Sequence, residues 1–316
     1  MKIKINLLMI LLGIMVVLQL GCSNAAKDNK EPNNQETSQE EGNKDKDIEA
    51  SADNDERIIN EYEELLFDEG VSIADIIQYI KDNISQASIE TATMMVERLE
   101  GEQEYYLSSL EEEFDSEKVQ GILLEAMVGG EDYKDPANIQ DEDVKALLNK
   151  AFSNGFSIDT AEGYVYPIID YSIYEEFITY IYDDLALYYM IMVTEATKPF
   201  AKDAALLISW KEVIDRVLST EIFIEEFGNS TKARLINDLH NRYVRVALYG
   251  LDNTLLFDYE TKTMDEEAKV AYETAVDKYT GSEFISTLEN FMDLVAKNDY
   301  ILNDEVIKAR DTIVGY

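Results

Sequence analysis

The stretch that decides the fold reads Tyr174-Glu-Glu-Phe-Ile-Thr-Tyr-Ile-Tyr-Asp-Asp-Leu-Ala-Leu-Tyr-Tyr-Met-Ile-Met192. Its aromatic and aliphatic residues fall on almost every side of a helix with a period of 3.6, and Glu176 and Asp183 mark only a narrow polar stripe. A helix that is apolar on most sides is normally buried among other helices. We therefore predict a helix over residues 173–195 at the centre of a helical bundle.

On both sides of this segment, apolar residues recur at the spacing of amphipathic helices that pack on a core. The clearest stripes are Ile73, Ile76, Ile77 and Ile80; Leu235, Ile236, Leu239, Tyr243 and Val246; and Phe284, Ile285, Leu288, Phe291, Met292 and Val295. The other predicted helices cover residues 57–68, 73–84, 88–113, 116–128, 142–153, 210–226, 231–249, 264–279, 282–297 and 303–313. Capping boxes, in which a hydroxyl and a carboxylate satisfy the first backbone N–H groups, are predicted at Ser172, Ser209, Thr263 and Thr280.

One segment has the pattern of a β-hairpin. Phe156–Ile158 and Tyr164–Ile168 flank the turn-forming stretch Asp159–Gly163. Pro167 cannot donate a ladder hydrogen bond, which places the hairpin at an edge. The predicted fold class is therefore mostly α: a multi-helix bundle with a small β-hairpin insertion.

The N-terminus has a short basic segment, followed by an apolar run and then by a cysteine. It opens Met1-Lys2-Ile3-Lys4, continues with the apolar run Leu7–Leu18 and reaches Gln19-Leu20-Gly21-Cys22. The apolar run is shorter than the roughly 20 residues that a membrane-spanning helix needs. This pattern resembles the signal of a bacterial lipoprotein. The resemblance implies cleavage before Cys22, a thioether from Cys22 to diacylglycerol and acyl chains such as palmitate. A plain secretory signal and an uncleaved anchor are the alternatives.

Domain organisation follows from this N-terminus. Residues 1–21 are the expected signal peptide, and the resemblance places the mature protein on the outer face of the bacterial cytoplasmic membrane, as in Gram-positive bacteria. Residues 22–56 are acidic and rich in Asn, Gln and Ser. Such a composition buries too little apolar surface to fold, so we predict a disordered tether. Residues 57–316 are the expected helical domain, with a subdivision into 57–153 and 172–316 as the alternative.

The charge and cysteine content exclude several classes of function. The chain contains 27 basic and 65 acidic residues, a formal net charge of −38, which repels nucleic acid. The same field attracts a cationic peptide, protein or cell-wall component, although an acidic surface also simply keeps a protein soluble. Cys22 is the only cysteine, so the mature domain has no thiol for a disulfide, a metal cage or a nucleophile.

The titratable residues give no clear catalytic set. His240 is the only histidine, on a half-apolar helix face, and we interpret it as a packed side chain. We therefore predict no catalytic residue, no metal site and no cofactor. Asp170, Asp184 and Asp258 lie in apolar settings and are the candidate acids for a glycoside hydrolase. Two of them facing each other across a cleft would favour hydrolysis, whereas positions at helix ends and turns would favour binding.

Three further segments are candidates for recognition. The loop after Gly250 offers Asp252, Asn253, Asp258 and Tyr259 as a binding loop, with a helix end and an ordinary turn as the alternative. The acidic run Glu111-Glu-Glu-Phe-Asp115 is either a weak cation attractor or a solvated helix end. The twenty tyrosines, many of them between residues 164 and 189, suit either core packing or a ligand groove.

The sequence is most consistent with a non-enzymatic binding or interaction module that is lipid-anchored at the bacterial surface. A cell-wall glycan hydrolase with paired carboxylates and a ligand-binding lipoprotein are the alternatives.

Overall fold

The structure, a computed structural model, describes the backbone of residues 41–315 and the side chains of residues 53–315. It is mostly helical with small antiparallel hairpins, which confirms the predicted fold class. The α-helices are α1 (Glu41–Phe67), α2 (Ile73–Asn83), α3 (Ile89–Phe114), α4 (Glu117–Val128), α5 (Glu142–Ser153), α6 (Asp183–Thr197), α7 (Trp210–Phe227), α8 (Ala233–Tyr249), α9 (Glu266–Lys278), α10 (Glu283–Lys297) and α11 (Asp304–Val314). Short 3-10 helices cover Ile84–Gln86, Pro136–Asn138 and Tyr171–Glu176. The strands are β1 (Phe156–Ala161), β2 (Tyr164–Ile169), β3 (Ala201–Lys202), β4 (Ala205–Leu206), β5 (Gly250–Leu251) and β6 (Thr254–Leu255).

The first helix starts earlier than the sequence predicted. It begins at Glu41, so residues 41–56 of the predicted disordered tether are helical. The downstream half of α1 is anchored, because Tyr62 is fully buried and donates a hydrogen bond to the Met95 carbonyl at 2.9 Å. Once a helix is anchored, each upstream residue adds a hydrogen bond without a new nucleation cost. The rest of the tether, Cys22 and the signal segment lie outside the described residues.

The tyrosine-rich segment 173–195 is not one continuous helix. Tyr171–Glu176 forms a 3-10 helix, a turn follows, and α6 begins only at Asp183. Asp170 caps the 3-10 helix by accepting a hydrogen bond from the Ser172 N–H at 3.0 Å, so the capping box predicted at Ser172 is wrong. Both parts contact α3, since the Tyr174 hydroxyl donates to Gln103 and the Tyr189 hydroxyl donates to Glu100.

The caps of α7, α9 and α10 correct the remaining predictions. Ser209 caps α7, since its hydroxyl accepts a hydrogen bond from the Glu212 N–H, but the predicted capping box is incomplete because the Glu212 carboxylate binds Lys198 and Arg216 instead. However, α9 is capped by Asp265 rather than by Thr263, and α10 by Ser282 rather than by Thr280. In both cases a side chain closer to the first buried residue of the helix serves as the cap, and it shortens the helix by a fraction of a turn.

The predicted hairpin forms from β1 and β2. Its register places Phe156 opposite Ile169, and β1 extends through Ala161 into the stretch predicted as the turn, whereas β2 begins at Tyr164 as predicted. Only Glu162 and Gly163 remain between the strands, with φ angles of +50° and +78°. Two consecutive left-handed residues are the mark of the tight turn that matches the twist of a hairpin.

One glutamine side chain fixes this hairpin to the helices. Gln120 of α4 donates from Nε2 to the Val165 carbonyl at 2.7 Å and accepts from the Val165 N–H at 3.0 Å. The same Nε2 donates to the Phe114 carbonyl at 2.8 Å. The position of β2 relative to the end of α3 is therefore set by three hydrogen bonds.

The two shorter hairpins, β3–β4 and β5–β6, lie beside each other. The Asn253 N–H donates to the Ala204 carbonyl at 2.8 Å, and its side-chain amide donates to the Asp203 carbonyl at 2.7 Å. In addition, the Leu206 N–H donates to the Thr254 hydroxyl at 3.1 Å. Hydrogen bonds between the two hairpins thus hold the end of α8 close to the segment that follows α6.

The core runs along the whole described chain. Residues Asp47–Tyr316 form one compact unit. Its largest fully buried side chains are Ile58, Tyr62, Phe114, Phe156, Tyr174, Phe177, Tyr188, Tyr189, Phe223, Tyr243, Tyr272 and Phe291. None of the helices in the described part of the chain is long and apolar enough to cross a membrane.

Candidate functional site

A concave pocket of about 540 Å³ opens between the end of α3 and strand β2. It is lined by Ser108, Glu111, Glu112, Asp115, Tyr164 and Tyr166. We call these residues the aromatic–acidic pocket. The lining combines three carboxylates with two aromatic rings and contains neither lysine nor arginine.

The two tyrosines present a shared aromatic face. Tyr164 and Tyr166 are two residues apart on β2, so they point to the same side of the hairpin. Their rings are nearly parallel, with 16° between the planes and 6.5 Å between the centroids. The Tyr164 hydroxyl donates to Asp115 Oδ1 at 2.9 Å, and this hydrogen bond raises the pKa of Tyr164. The rings are therefore held next to the carboxylates.

The carboxylates lie at an unfavourable end of a helix. The last turn of α3 contains no basic residue, so Glu111 and Glu112 add negative charge to the negative end of the helix dipole. Glu113 is compensated by Lys150, with 2.6 Å between Glu113 Oε1 and Lys150 Nζ. Glu111 and Glu112 make no ion pair with any other described residue. This arrangement costs the isolated helix about 0.3–1 kcal/mol per charge and concentrates negative potential at the pocket.

The chemistry of such a pocket suits a cation. A lysine ammonium or arginine guanidinium over an exposed tyrosine face gains about 0.5–1 kcal/mol. Neighbouring carboxylates add charge-assisted hydrogen bonds. In the described residues, no group of three or more histidine, cysteine, aspartate or glutamate side chains could hold a metal ion.

Sequence reasoning found the two halves of this pocket separately. The acidic run ending at Asp115 and the tyrosines starting at Tyr164 are both visible in the sequence. The acidic run and the tyrosines come together because the hydrogen bonds of Gln120 fix β2 beside the end of α3. A glutamine on a helix gives no sequence signal for that contact.

The predicted binding loop lies elsewhere. Asp252, Asn253 and Asp258 line a shared concavity of about 340 Å³, and Tyr259 is not part of its lining. Asn253 is engaged with the neighbouring hairpin, and Asp258 Oδ1 accepts from both the N–H and the hydroxyl of Thr261. These hydrogen bonds lower the pKa of Asp258 and build a turn. Tyr259 is 77% exposed, and Lys262 Nζ lies 4.5 Å from its ring centroid. A ligand at this loop stays a prediction.

The three candidate catalytic acids are not brought together. Asp170 caps a 3-10 helix, Asp184 lies in the first turn of α6, and Asp258 closes a turn. Asp184 and Asp258 line different concavities. These positions at helix ends and turns do not form the facing pair that a glycoside hydrolase uses.

His240 is packed against α7. Its Nδ1 lies 3.1 Å from the Thr220 hydroxyl, and burial lowers the pKa of the imidazole. Within the described residues it makes no hydrogen bond to a serine or a carboxylate. The geometry is that of a side chain in a helix interface.

A buried polar cluster lies at the centre of the fold, and the sequence analysis missed it. Glu100 on α3 is fully buried, and it accepts hydrogen bonds from three tyrosine hydroxyls and from Lys232. The donors are Tyr171 at 3.0 Å, Tyr188 at 2.5 Å, Tyr189 at 3.0 Å and Lys232 Nζ at 2.7 Å. Burial and the charge of Glu100 raise the pKa of each of these tyrosines, so all three remain donors.

The signal for this cluster was a polar residue within an apolar stripe. Glu100 and Gln103 share a helix face with Val96 and Leu99, and all four are buried. The donors come from the 3-10 helix, from α6 and from the α7–α8 connection, so Glu100 joins distant parts of the chain. The cluster is closed and lines none of the concavities described above, and it accounts for several of the tyrosines as core residues.

Comparison with known proteins gives no relative: no family model, no curated protein and no solved structure matches this chain.

Proposed function

We propose that the mature chain is a non-enzymatic binding module, held by lipid on Cys22 at the outer face of the bacterial cytoplasmic membrane. In this proposal the aromatic–acidic pocket receives the positively charged side chains of a basic peptide or protein segment. The observation that carries it is the placement of two near-parallel tyrosine rings beside Glu111, Glu112 and Asp115.

Electrostatics at two scales support the proposal. The net charge of −38 attracts cations from a distance and raises their association rate. Close to the surface, the negative charges at the end of α3, where the last turn has no basic residue, direct that attraction towards the aromatic–acidic pocket. The tyrosine rings add a contact that depends on the shape of the ligand rather than on its charge alone. A cell-wall glycan is the other ligand that suits flat tyrosine faces and carboxylates. A binding experiment with both kinds of ligand distinguishes it from a basic peptide.

Removal of the two uncompensated charges tests the pocket. For the double variant Glu111→Gln/Glu112→Gln we expect about fivefold weaker binding of a fluorescein-labelled hexalysine peptide, since two exposed contacts contribute about 0.5 kcal/mol each. Tyr166→Leu should weaken binding to a similar extent through loss of the cation–π contact. Fluorescence anisotropy at near-physiological salt gives the affinities, because screening then suppresses long-range attraction.

The matched control is Glu289→Gln/Asp293→Asn on α10. Both residues are exposed, and the pair removes the same net charge from a helix outside the pocket. If both double variants weaken binding equally, only the overall charge matters and the pocket is not the site. If a chitooligosaccharide binds the wild-type protein and hexalysine does not, the ligand is a glycan instead.

The anchor is tested by Cys22→Ser in cells. Because the thioether needs a thiol, we expect the variant to leave the membrane fraction, whereas the wild-type protein stays there and gains the mass of diacylglycerol. Fractionation and intact-mass spectrometry measure this. An unmodified sulfhydryl in the exported wild-type protein would contradict the anchor and leave the pocket experiment unaffected.

A further inference from the structure

An apolar groove of about 460 Å³ runs between α7 and α9, outside the aromatic–acidic pocket. Its floor consists of Trp210 and Ile214 from α7 and of Ala271 and Ala275 from α9. Val270 stands on its rim with 55% of its surface exposed. The small side chains of α9 leave room for another element to approach, and we call this feature the α7–α9 groove.

The charges around the α7–α9 groove are unevenly compensated. Lys211 is paired with Asp215 one turn further along α7. Lys278 donates to the Tyr279 hydroxyl at 2.9 Å and lies over its ring. Glu266 and Glu267, at the other end of the groove, make no ion pair with any other described residue. Lys278 therefore keeps its positive charge, and the two lysines and three carboxylates that line the groove sum to −1, of the same sign as the net charge of the chain.

We propose that the α7–α9 groove binds an amphipathic helix with an apolar face and a lysine- or arginine-rich polar face. The α9 wall has 13 residues, roughly 20 Å or about three to four helical turns, and the α7 wall faces it over residues 209–215. A helix of that length places apolar anchors at i, i+3 or i+4, and i+7 into such a groove. Basic residues on its polar face then meet Glu266 and Glu267, whereas an acidic helix is repelled by these two carboxylates.

The groove contains its own reporter, since Trp210 is the only tryptophan of the chain. The probe is a peptide of about 12 leucine and lysine residues arranged with one apolar helix face. We expect a saturable change in Trp210 emission with a Kd below about 100 µM. A scrambled peptide of the same composition and a leucine–glutamate version should bind at least about tenfold more weakly, because one lacks the apolar face and the other the charge.

Thr274→Lys is the blocking variant. Thr274 is exposed in the groove, and its hydroxyl bonds only to the Val270 carbonyl one turn back. A lysine there obstructs the groove and repels the basic peptide, so we expect about tenfold weaker binding. Ser286→Lys is the control, since Ser286 is also exposed, its hydroxyl donates to the Ser282 carbonyl one turn back, and it lies outside the groove.

Equal affinity for the Thr274→Lys and Ser286→Lys variants overturns the proposal. So does equal binding of the acidic peptide, or the absence of a saturable signal up to about 1 mM peptide. The variant Glu111→Gln/Glu112→Gln separates the two sites. If it abolishes the Trp210 signal while Thr274→Lys does not, binding depends on the aromatic–acidic pocket and the proposal for the α7–α9 groove is overturned.

Discussion

Lys232→Met is expected to lower the free energy of unfolding by about 3 kcal/mol, because it leaves the buried carboxylate of Glu100 without its counter-charge. Lys232 Nζ also lies 4.9 Å from the centroid of the Tyr188 ring, and methionine keeps most of the apolar stem, so the lost charge dominates the effect. The three tyrosine hydroxyls still donate to Glu100, which keeps the loss at the lower end of the range for a broken buried pair. Urea denaturation followed by circular dichroism measures the change.

Two variants make this result specific. Lys81→Met removes the cation of an exposed pair, with side-chain exposures of 35% for Lys81 and 60% for Glu176, and should cost at most about 0.5 kcal/mol. The corresponding exposures are 20% for Lys232 and 1% for Glu100. Adding Glu100→Gln to Lys232→Met should recover part of the loss, since no buried charge remains. An equal cost for Lys81→Met and Lys232→Met would refute the role of the cluster.

Gly250→Ala should destabilise the protein by at least about 3 kcal/mol, through backbone strain and a direct clash. Gly250 ends α8 with φ +77° and ψ −155°, a conformation that is essentially restricted to glycine. An added Cβ would lie 2.2 Å from the Thr254 carbonyl oxygen and 2.6 Å from the Leu256 nitrogen. Both are backbone atoms, so relief requires β5 and β6 to separate. Thermal and urea unfolding give the size of the loss.

Gly281→Ala is the matched control for this prediction. Gly281 also has a positive φ, of +86°, but its Cβ would meet no atom within 4 Å. It should therefore cost only about 1 kcal/mol, the penalty of a left-handed residue alone. If both alanine variants lose the same stability, the close approach of the two strands at Gly250 is not what requires the glycine.

Local patterns in the sequence were sufficient for the fold class. The apolar stripes of α8 and α10 and the alternation around Asp159–Gly163 each depend on neighbouring residues, and they predicted helices and a hairpin that the structure contains. The segment 173–195 was harder, because a 3-10 helix followed by a turn keeps the same apolar composition as a continuous helix. The cap is Asp170, two residues before the Ser172 that the sequence predicted.

Long-range contacts were beyond sequence reasoning. The position of Glu100 in an apolar stripe was a signal for a buried acid that the sequence analysis missed, and nothing in the sequence identified Lys232 as its partner across the fold. Likewise, the acidic end of α3 and the tyrosines of β2 come together only through the register of the hairpin and its attachment to Gln120. Single-residue patterns identify the chemistry of these groups, and the tertiary structure determines which of them meet.

The hydrogen bonds of Gln120 also protect the hairpin from self-association. The amide occupies both backbone groups of Val165 on the outer edge of β2, where the strand of another molecule would otherwise pair. Pro167, two residues further along the same edge, has no N–H to offer. A neighbouring chain therefore finds no template for strand addition there. At high protein concentration, this edge should therefore resist aggregation.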